Sequence, residues 1–353
     1  MTAGGLILAV ETSCDETAIA LVEDGRTVRS NVVASQVAMH AAAGGIVPEV
    51  AARAHLRWIV PVLDEAWAAG GAGWDDVSAV AVTEGPGLAG SLLVGINFAK
   101  TLAYVHEKPL VPVNHLEGHL YAAWLADDSR ELAEPVFPAV ALIVSGGHTF
   151  LVEMRDHLDY KLLGETVDDA AGEAFDKVGR LLGLPYPGGP AVMKAAEGAV
   201  RHDVRFPRAW LGETFDFSFS GLKTAARRMI ATETGGEGTE VGQAPLPEDR
   251  VAEMAEGFQD SVVDVLVTKT VRAAVAAGAR SVVLGGGVAA NRALRDRLAE
   301  EARSAGIPLV VPRPALCTDN AAMIGAAAAR RYEAGVRAGL DLDARPSLPL
   351  ARR

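Results

Sequence analysis

The chain has 353 residues, half of them apolar, enough to bury a substantial core in two domains at ~150 residues each. Against 45 Asp and Glu stand 33 Lys and Arg, a formal net charge of −12 that excludes a coat for DNA or anionic lipid built on diffuse positive charge. Aromatics at 5% exclude a single-strand binder built on rows of stacking rings.

Cys14 and Cys317 are the only cysteines, too few for a disulfide framework or a cysteine zinc site and in keeping with a reducing compartment. The N-terminus, MTAGGLILAVETSCDE, has no basic region before its short apolar run, and no stretch reaches ~18 continuous apolar residues. A cytoplasmic protein with no membrane partner is expected.

In chain order, Leu6 to Val10 and Ala18 to Val22 flank the polar turn ETSCDET (11 to 17), which predicts a buried hairpin with several acceptors at its tip. Helices are predicted over Glu49 to Ala69, stopping near Gly70-Gly71, and over Leu88 to Val105, between Gly85-Pro86-Gly87 and Pro109. Val140 to Val144 and Thr149 to Val152 flank Ser145-Gly146-Gly147-His148, a second strand, turn, strand unit; two such hairpins imply two related lobes. Ala170 to Leu182 reads as a helix closed by Gly183 and followed by the turn-rich segment 185–190. Thr232 to Asp249 reads as a mobile loop. Ser281 to Leu284 is a strand running into Gly285-Gly286-Gly287 and a helix carrying Arg292, Arg295 and Arg297; after a strand at Leu309 to Val311 and a helix from Ala321, residues beyond Leu340 read as a frayed tail.

Strand, glycines and helix at 281–297 are the elements of a phosphate cradle, because glycine lets backbone N–H groups approach an anion at a helix N-terminus. The same order also serves as an ordinary strand-to-helix corner. His115 and His119 are four residues apart, on one face of a helix, a spacing that lets both bind one metal. Glu117, two residues from each, is turned by about 200° and faces away, so the base a zinc peptidase needs is missing. Asp319, in the polar break before the helix from Ala321, is a candidate third ligand or a helix N-cap. Glu173 and Asp176 are placed to accept hydrogen bonds from sugar hydroxyls, or to form a solvated face with Lys177 and Arg180. Glu11 and Asp15 either orient a phosphate-bound metal or water, or cap their turn. Each cysteine also fits a small buried hydrophobe.

The ordered set ETSCDET (11 to 17), GPGLAGSLLVG (85 to 95), NHLEGHL (114 to 120), IVSGGHT (143 to 149), DDAAGEAFDKVGRLLG (168 to 183), YPGGP (186 to 190), FSFSGLKT (217 to 224), GGGVAANR (285 to 292) and CTDNAAMIG (317 to 325) is specific as a set. From about residue 6 to 335 the chain resembles the tRNA threonylcarbamoyladenosine synthesis family TsaD, formerly called Gcp or O-sialoglycoprotein endopeptidase.

The resemblance implies an α/β fold of the actin-like, sugar-kinase and heat-shock-chaperone ATPase type, duplicated ribonuclease-H-like domains with a nucleotide cleft between lobes. Residues 1–128 plus 318–340 would form the first lobe, 129–317 the second, and 341–353 a flexible tail. The implied reaction moves a threonylcarbamoyl group from threonylcarbamoyl-AMP to the exocyclic amine of the adenosine just after the anticodon, in tRNAs reading codons that begin with A, releasing AMP. It also implies that His115, His119 and Asp319 hold one divalent metal ion, iron(II) ahead of zinc. Ile143, Val144, Ser145, Gly146 and Gly147 would line the adenylate and its phosphate, Asp176 and Gly189 the ribose region, and Asn291 the nucleotide beside Gly286 and Gly287. Glu11 and Asp15 are the acidic candidates for the base. Implied partners are tRNA, a TsaB-like paralogue and a TsaE-like ATPase, with a TsaC-type enzyme making the adenylate. The paralogue contact is expected at Ser35 to Ala66, with apolar positions beside Arg53, His55 and Arg57. Phosphate contacts are expected from Arg201, Arg205 and Arg208, or from Lys223, Arg227 and Arg228. A metal-dependent glycoprotein endopeptidase and a small-molecule kinase of the same fold are the alternatives.

Overall fold

The computed structural model describes residues 5–41, 45–126, 134–239 and 245–351. In chain order the main elements are β1 (Leu6–Glu11), β2 (Glu16–Glu23), β3 (Thr27–Ser35), α1 (Val37–Ala41), α2 (Pro48–Gly70), β4 (Val77–Gly85), α3 (Ala89–Val105), β5 (Leu110–Asn114) and α4 (His115–Tyr121). There follow β6 (Ala139–Val144), β7 (Thr149–Asp156), β8 (Asp159–Glu165), α5 (Ala171–Leu181), α6 (Gly188–Ala196), α7 (Ser220–Thr234), α8 (Glu248–Ala276), β9 (Ser281–Gly285), α9 (Arg292–Ser304), β10 (Leu309–Val310), α10 (Pro314–Cys317) and α11 (Ala321–Glu333).

These elements form two compact units. One holds the described residues up to Pro135, Asp156–Tyr160 and the described residues from Val310 onward; the other holds Val136–Arg155 and Lys161–Leu309. Their sheets follow one plan. The strand orders are β3-β2-β1-β4-β5 and β10-β9-β6-β7-β8, and the second, taken from its other edge, matches the first. β1 pairs antiparallel with β2 and parallel with β4, as β6 does with β7 and β9. The two hairpins legible in the sequence are thus the hearts of two equivalent sheets. The outer strands β3 and β8 carry no continuous apolar run and alternate irregularly between exposed and buried, so periodicity did not reveal them.

All six residues of β1 and of β6 are buried, as a central strand covered on both faces requires. Alternation decides what each face meets. Leu8 and Val10 of β1 and Ile19 and Leu21 of β2 share one core cluster with Ile59 and Val62 of α2 and Leu92 and Ile96 of α3. Ala9 and Val22 point the other way, onto the face that α11 covers. In the second unit, α8 packs with β6, α6 and α9, and its Phe258 meets Phe175 of α5 edge to face at 5.0 Å.

Two expectations change. The loop expected over Thr232 to Asp249 shrinks, because α7 runs to Thr234 and α8 begins at Glu248; residues 240–244 lie outside the described ones. The segment after Leu340 docks along the first unit: Gly87 N–H donates to Pro346 O, Arg345 N–H to Glu84 O, and the Lys100 ammonium to Leu342 O. Backbone hydrogen bonds of this kind have no composition signature, so the segment had looked frayed; residues 352 and 353 lie outside the described ones.

Candidate active site

In the first unit β5 ends at Asn114, whose side-chain oxygen accepts from Leu116 N–H at 2.9 Å and starts α4 at once. All seven residues of α4 are buried. The predicted i, i+4 spacing therefore places His115 and His119 together inside the protein, ring centroids 4.8 Å apart and nearly perpendicular. Asp319 joins them from the segment before α11, its Oδ1 3.5 Å from His115 Nε2 and 3.3 Å from His119 Nε2. The N-cap of α11 is Asn320, which accepts from Met323 N–H at 3.0 Å. With capping assigned to the neighbouring residue, the Asp319 carboxylate is turned toward the imidazoles.

The three ligand atoms lie within 4.8 Å of one another. Neither ring nitrogen of His119 has a hydrogen-bond partner, although the residue is fully buried. A buried imidazole without hydrogen-bond partners is costly, and coordination of a metal ion would remove the cost. Two imidazoles and a carboxylate suit a divalent transition metal and leave coordination positions open.

His115 is held from behind. Its Nδ1 lies 3.0 Å from Glu11 Oε2 and 3.1 Å from Ser13 Oγ. Glu11 also accepts from Thr83 Oγ1 at 2.7 Å and from Ser13 N–H. A carboxylate surrounded by donors fixes a proton on His115 Nδ1 and aims Nε2 at His119 and Asp319. Burial works against ionising Glu11, yet His115 beside it holds its carboxyl below the usual range. Burial likewise opposes the His115 imidazolium, but Asp319 and Glu11 push it up to about 9. Glu11, a candidate base, is here a hydrogen-bond partner of His115. Asp15 is buried at the same hairpin tip. Next to it, burial together with Asp319 and Asp15 pushes Glu16 up to about 10. Sequence reasoning missed Ser13, Thr83 and Glu16; only the first and last, inside ETSCDET, had a local signal. Burial raises the Cys14 thiol, and Cys317 is fully buried, so both behave as small hydrophobes.

Glu117 turns away from the imidazoles, accepting from Tyr160 Oη at 2.6 Å and from Arg331 at 2.7 Å. His55, expected beside a partner face, is buried instead, accepting from Thr17 Oγ1 at 2.8 Å and donating to Cys14 O at 3.1 Å.

In the second unit Ile143 and Val144 are wholly buried in β6, so their side chains belong to the core and only the turn after them is reachable. That turn is closed by Ser145 N–H donating to His148 O at 2.8 Å, and it leaves Gly146 and Gly147 exposed beside open space. Helix α5 starts hard against it: a Cβ on Gly172 would fall 2.4 Å from Ser145 O and 2.8 Å from Gly146 Cα. Gly172→Ala is accordingly expected to destabilise the protein by about 1–3 kcal/mol. The check is a lower urea midpoint at unchanged slope; an unchanged midpoint would show that the turn is not packed this way.

One turn further along α5, Asp176 Oδ1 accepts from Gly188 N–H at 2.7 Å. Burial raises its carboxyl, and the N–H groups of Gly188 and Gly189 partly offset this. Gly286, at φ 86, brings the turn after β9 against Val144 O, where a Cβ would sit 2.4 Å away. The Ser145 turn, Asp176 with Gly189, and the Gly286–Gly287 turn are thereby gathered within this unit. Asn291 is committed otherwise: its oxygen caps α9 through Leu294 N–H at 3.1 Å, and its amide donates to Gln259 at 2.8 Å.

Two sheets of one plan, with a buried two-histidine, one-carboxylate cluster in the first unit and a glycine-rich cradle in the second, define a duplicated α/β protein of the actin-like and sugar-kinase class, with a candidate metal site. Solved structures agree on the fold: HypF from T. kodakarensis is similar with a TM-score of 0.60 at 13% identity over 94% of this chain and 48% of that one. Component A of (R)-2-hydroxyglutaryl-CoA dehydratase from Acidaminococcus fermentans gives 0.50 at 13% identity, over 95% and 99%. A family model described as TsaD, tRNA N6-adenosine threonylcarbamoyltransferase, matches residues 27–326. Proteins of that name are 57% identical in Thermomicrobium roseum, over 99% of this chain and 98% of that one, and 51% identical in Bacillus subtilis, over 98% and 95%. The chain belongs to the tRNA N6-adenosine threonylcarbamoyltransferase family.

Proposed function

We propose that this chain transfers the threonylcarbamoyl group of threonylcarbamoyl-AMP to the exocyclic amine of the adenosine following the anticodon, in tRNAs that read codons beginning with A. The amine nitrogen bonds to the carbamoyl carbon, the bond from that carbon to the phosphate oxygen breaks, AMP leaves, and one amine proton passes to a base. What carries the reading, within a family of this activity, is the buried His115, His119 and Asp319 cluster with its orphaned His119 nitrogens.

A bound divalent ion, iron(II) ahead of zinc, supplies Lewis-acid chemistry at these three residues. Glu11 holds His115 with Nε2 forward, and Thr83 and Ser13 hold Glu11. In the second unit the N–H groups of Gly146 and Gly147 take the phosphate oxygens, and Asp176 with Gly189 takes the ribose. Asp15 receives the amine proton. The peptidase alternative is not favoured, because both Glu117 oxygens are engaged by Tyr160 and Arg331. The test is mass spectrometry of tRNA nucleosides after incubation with threonylcarbamoyl-AMP. Modified adenosine is expected; none, with or without partner proteins, overturns the reading.

A TsaB-like paralogue docks on α2 and α3, where Val50, Leu56, Val60 and Leu93 remain exposed, Leu56 at 65%. A TsaE-like ATPase and action in the cytoplasm belong to the same proposal; no helix of the described residues is long and apolar enough to cross a membrane. Leu56→Glu with Val60→Glu is expected to abolish capture of a TsaB homologue in a pull-down while leaving the thermal midpoint within a few degrees. Undiminished capture would move the contact elsewhere.

A further inference from the structure

Of the six basic residues that the sequence offers as phosphate contacts, two are already neutralised. Arg201 is bound to Glu253 at 2.9 Å, and Arg208 is bound to Asp260 and Asp264, which Arg297 also engages. Arg205 bonds the carbonyl of Val204. Lys223, Arg227 and Arg228 differ: all three are exposed on α7, and none pairs with a carboxylate among the described residues.

Lys223 and Arg227 share one side of α7, with Arg228 about 100° further round it. The exposed Thr224 lies one turn before Arg228 on the same side. In a chain of net charge −12 the overall field does not attract a polyanion, so any phosphate contact must rest on local cations such as these. The place is also informative. Helix α7 packs on α5, the helix of Asp176, and its first turn is anchored by Asp168, which accepts from Phe219 N–H at 2.9 Å and from Ser220 Oγ at 2.7 Å. The start of α7 is thus satisfied by a carboxylate from within the protein. What it presents outward is side-chain charge.

We infer that Lys223, Arg227 and Arg228 form a docking surface for the sugar-phosphate backbone of tRNA, contacting phosphates and not bases. This rests on the transfer reaction proposed above and adds the surface that receives its acceptor. Guanidinium forks and an ammonium suit phosphate oxygens, and such interactions carry no sequence information. Discrimination among tRNAs therefore lies elsewhere.

The test uses the full-length protein with Lys223, Arg227 and Arg228 all changed to Gln, which keeps helix propensity. Fluorescence anisotropy with labelled tRNA is followed across a salt series. Removing one cation from a phosphate lowers the slope of log affinity against log salt by about 0.7–0.9, so a fall of roughly 2–3 is expected for the triple variant. The KM for tRNA is expected to rise by about tenfold or more with kcat within about threefold, while affinity for threonylcarbamoyl-AMP stays the same. Arg201→Gln, already paired internally, is expected to leave the slope unchanged. An unchanged slope in the triple variant, or a larger effect from Arg201→Gln, overturns the inference. The two readings fail separately. A wild-type protein that makes no modified adenosine sinks the reaction, whereas the surface stands or falls on the salt slope alone.

Discussion

His119→Ala is expected to abolish metal binding and to lower tRNA modification by at least about 100-fold, the upper range for losing even a residue that only supports a ligand. The protein should nonetheless fold. In the metal-free state wild-type His119 buries two ring nitrogens without hydrogen bonds, Nε2 only near Asp319, a cost that alanine removes and that offsets the cavity it leaves. Metal-free wild type and variant should therefore agree in stability to within about 2 kcal/mol. Added metal separates them: wild type gains stability as the ion binds the native state alone, and the variant gains none. Thermal unfolding with and without metal, alongside metal content and nucleoside analysis, measures all of this. A variant that binds one ion with wild-type stabilisation would remove His119 from the ligand set.

Glu11→Gln tests the residue behind the ligand. Glu11 accepts from Ser13 N–H, Thr83 Oγ1 and His115 Nδ1, so an amide there replaces an acceptor with a donor and turns one of the three donors against another N–H. Metal affinity is expected to fall by about 10- to 100-fold, read by competition with a chelator, with the fold retained by circular dichroism. Thr83→Val, which removes one donor to Glu11, should cost less. Undiminished affinity in Glu11→Gln would exclude the positioning role.

The same pair gives the metal-free protein a pH signature. Burial opposes both charges, but His115 holds the Glu11 carboxyl low, so its contribution to stability is present above the ordinary ~4.3 and is lost as pH falls through its lower native value. Asp319 and Glu11 push His115 up to about 9, so its contribution is complete below the ordinary ~6.5 and is lost as pH rises through about 9. Glu11→Gln should flatten both limbs of the stability profile.

Much of this molecule is written locally. The apolar runs around ETSCDET and Ser145 to His148 identify the two hairpins because a buried strand pair must alternate apolar segments with a tight polar turn. The His115 and His119 pair is legible because a four-residue spacing on a helix puts two side chains on one face whatever surrounds it. The glycine positions of the second unit are legible as turns, and the set of motifs taken together identifies the family.

Other features depend on residues far apart in the chain. Sequence alone left Asp319 as a ligand or a cap; the fold gives the cap to Asn320 and brings Asp319 to histidines some 200 residues away. β1, β4 and β5, lying side by side, set Glu11 against His115 and Thr83, a contact that no local pattern announces. The fold also buries the side chains of Ile143 and Val144 and sets the Asn291 oxygen at the start of α9. The basic residues looked alike until α8 supplied carboxylates to Arg201 and Arg208 and none to Lys223, Arg227 and Arg228. The division has a physical origin: periodicity and turn chemistry are set by neighbours along the chain, so the sequence by itself determined the two hairpins, the histidine pair and the family. A carboxylate's role is set by the donors and charges around it, and which ones those are was decided only when the strands and helices packed.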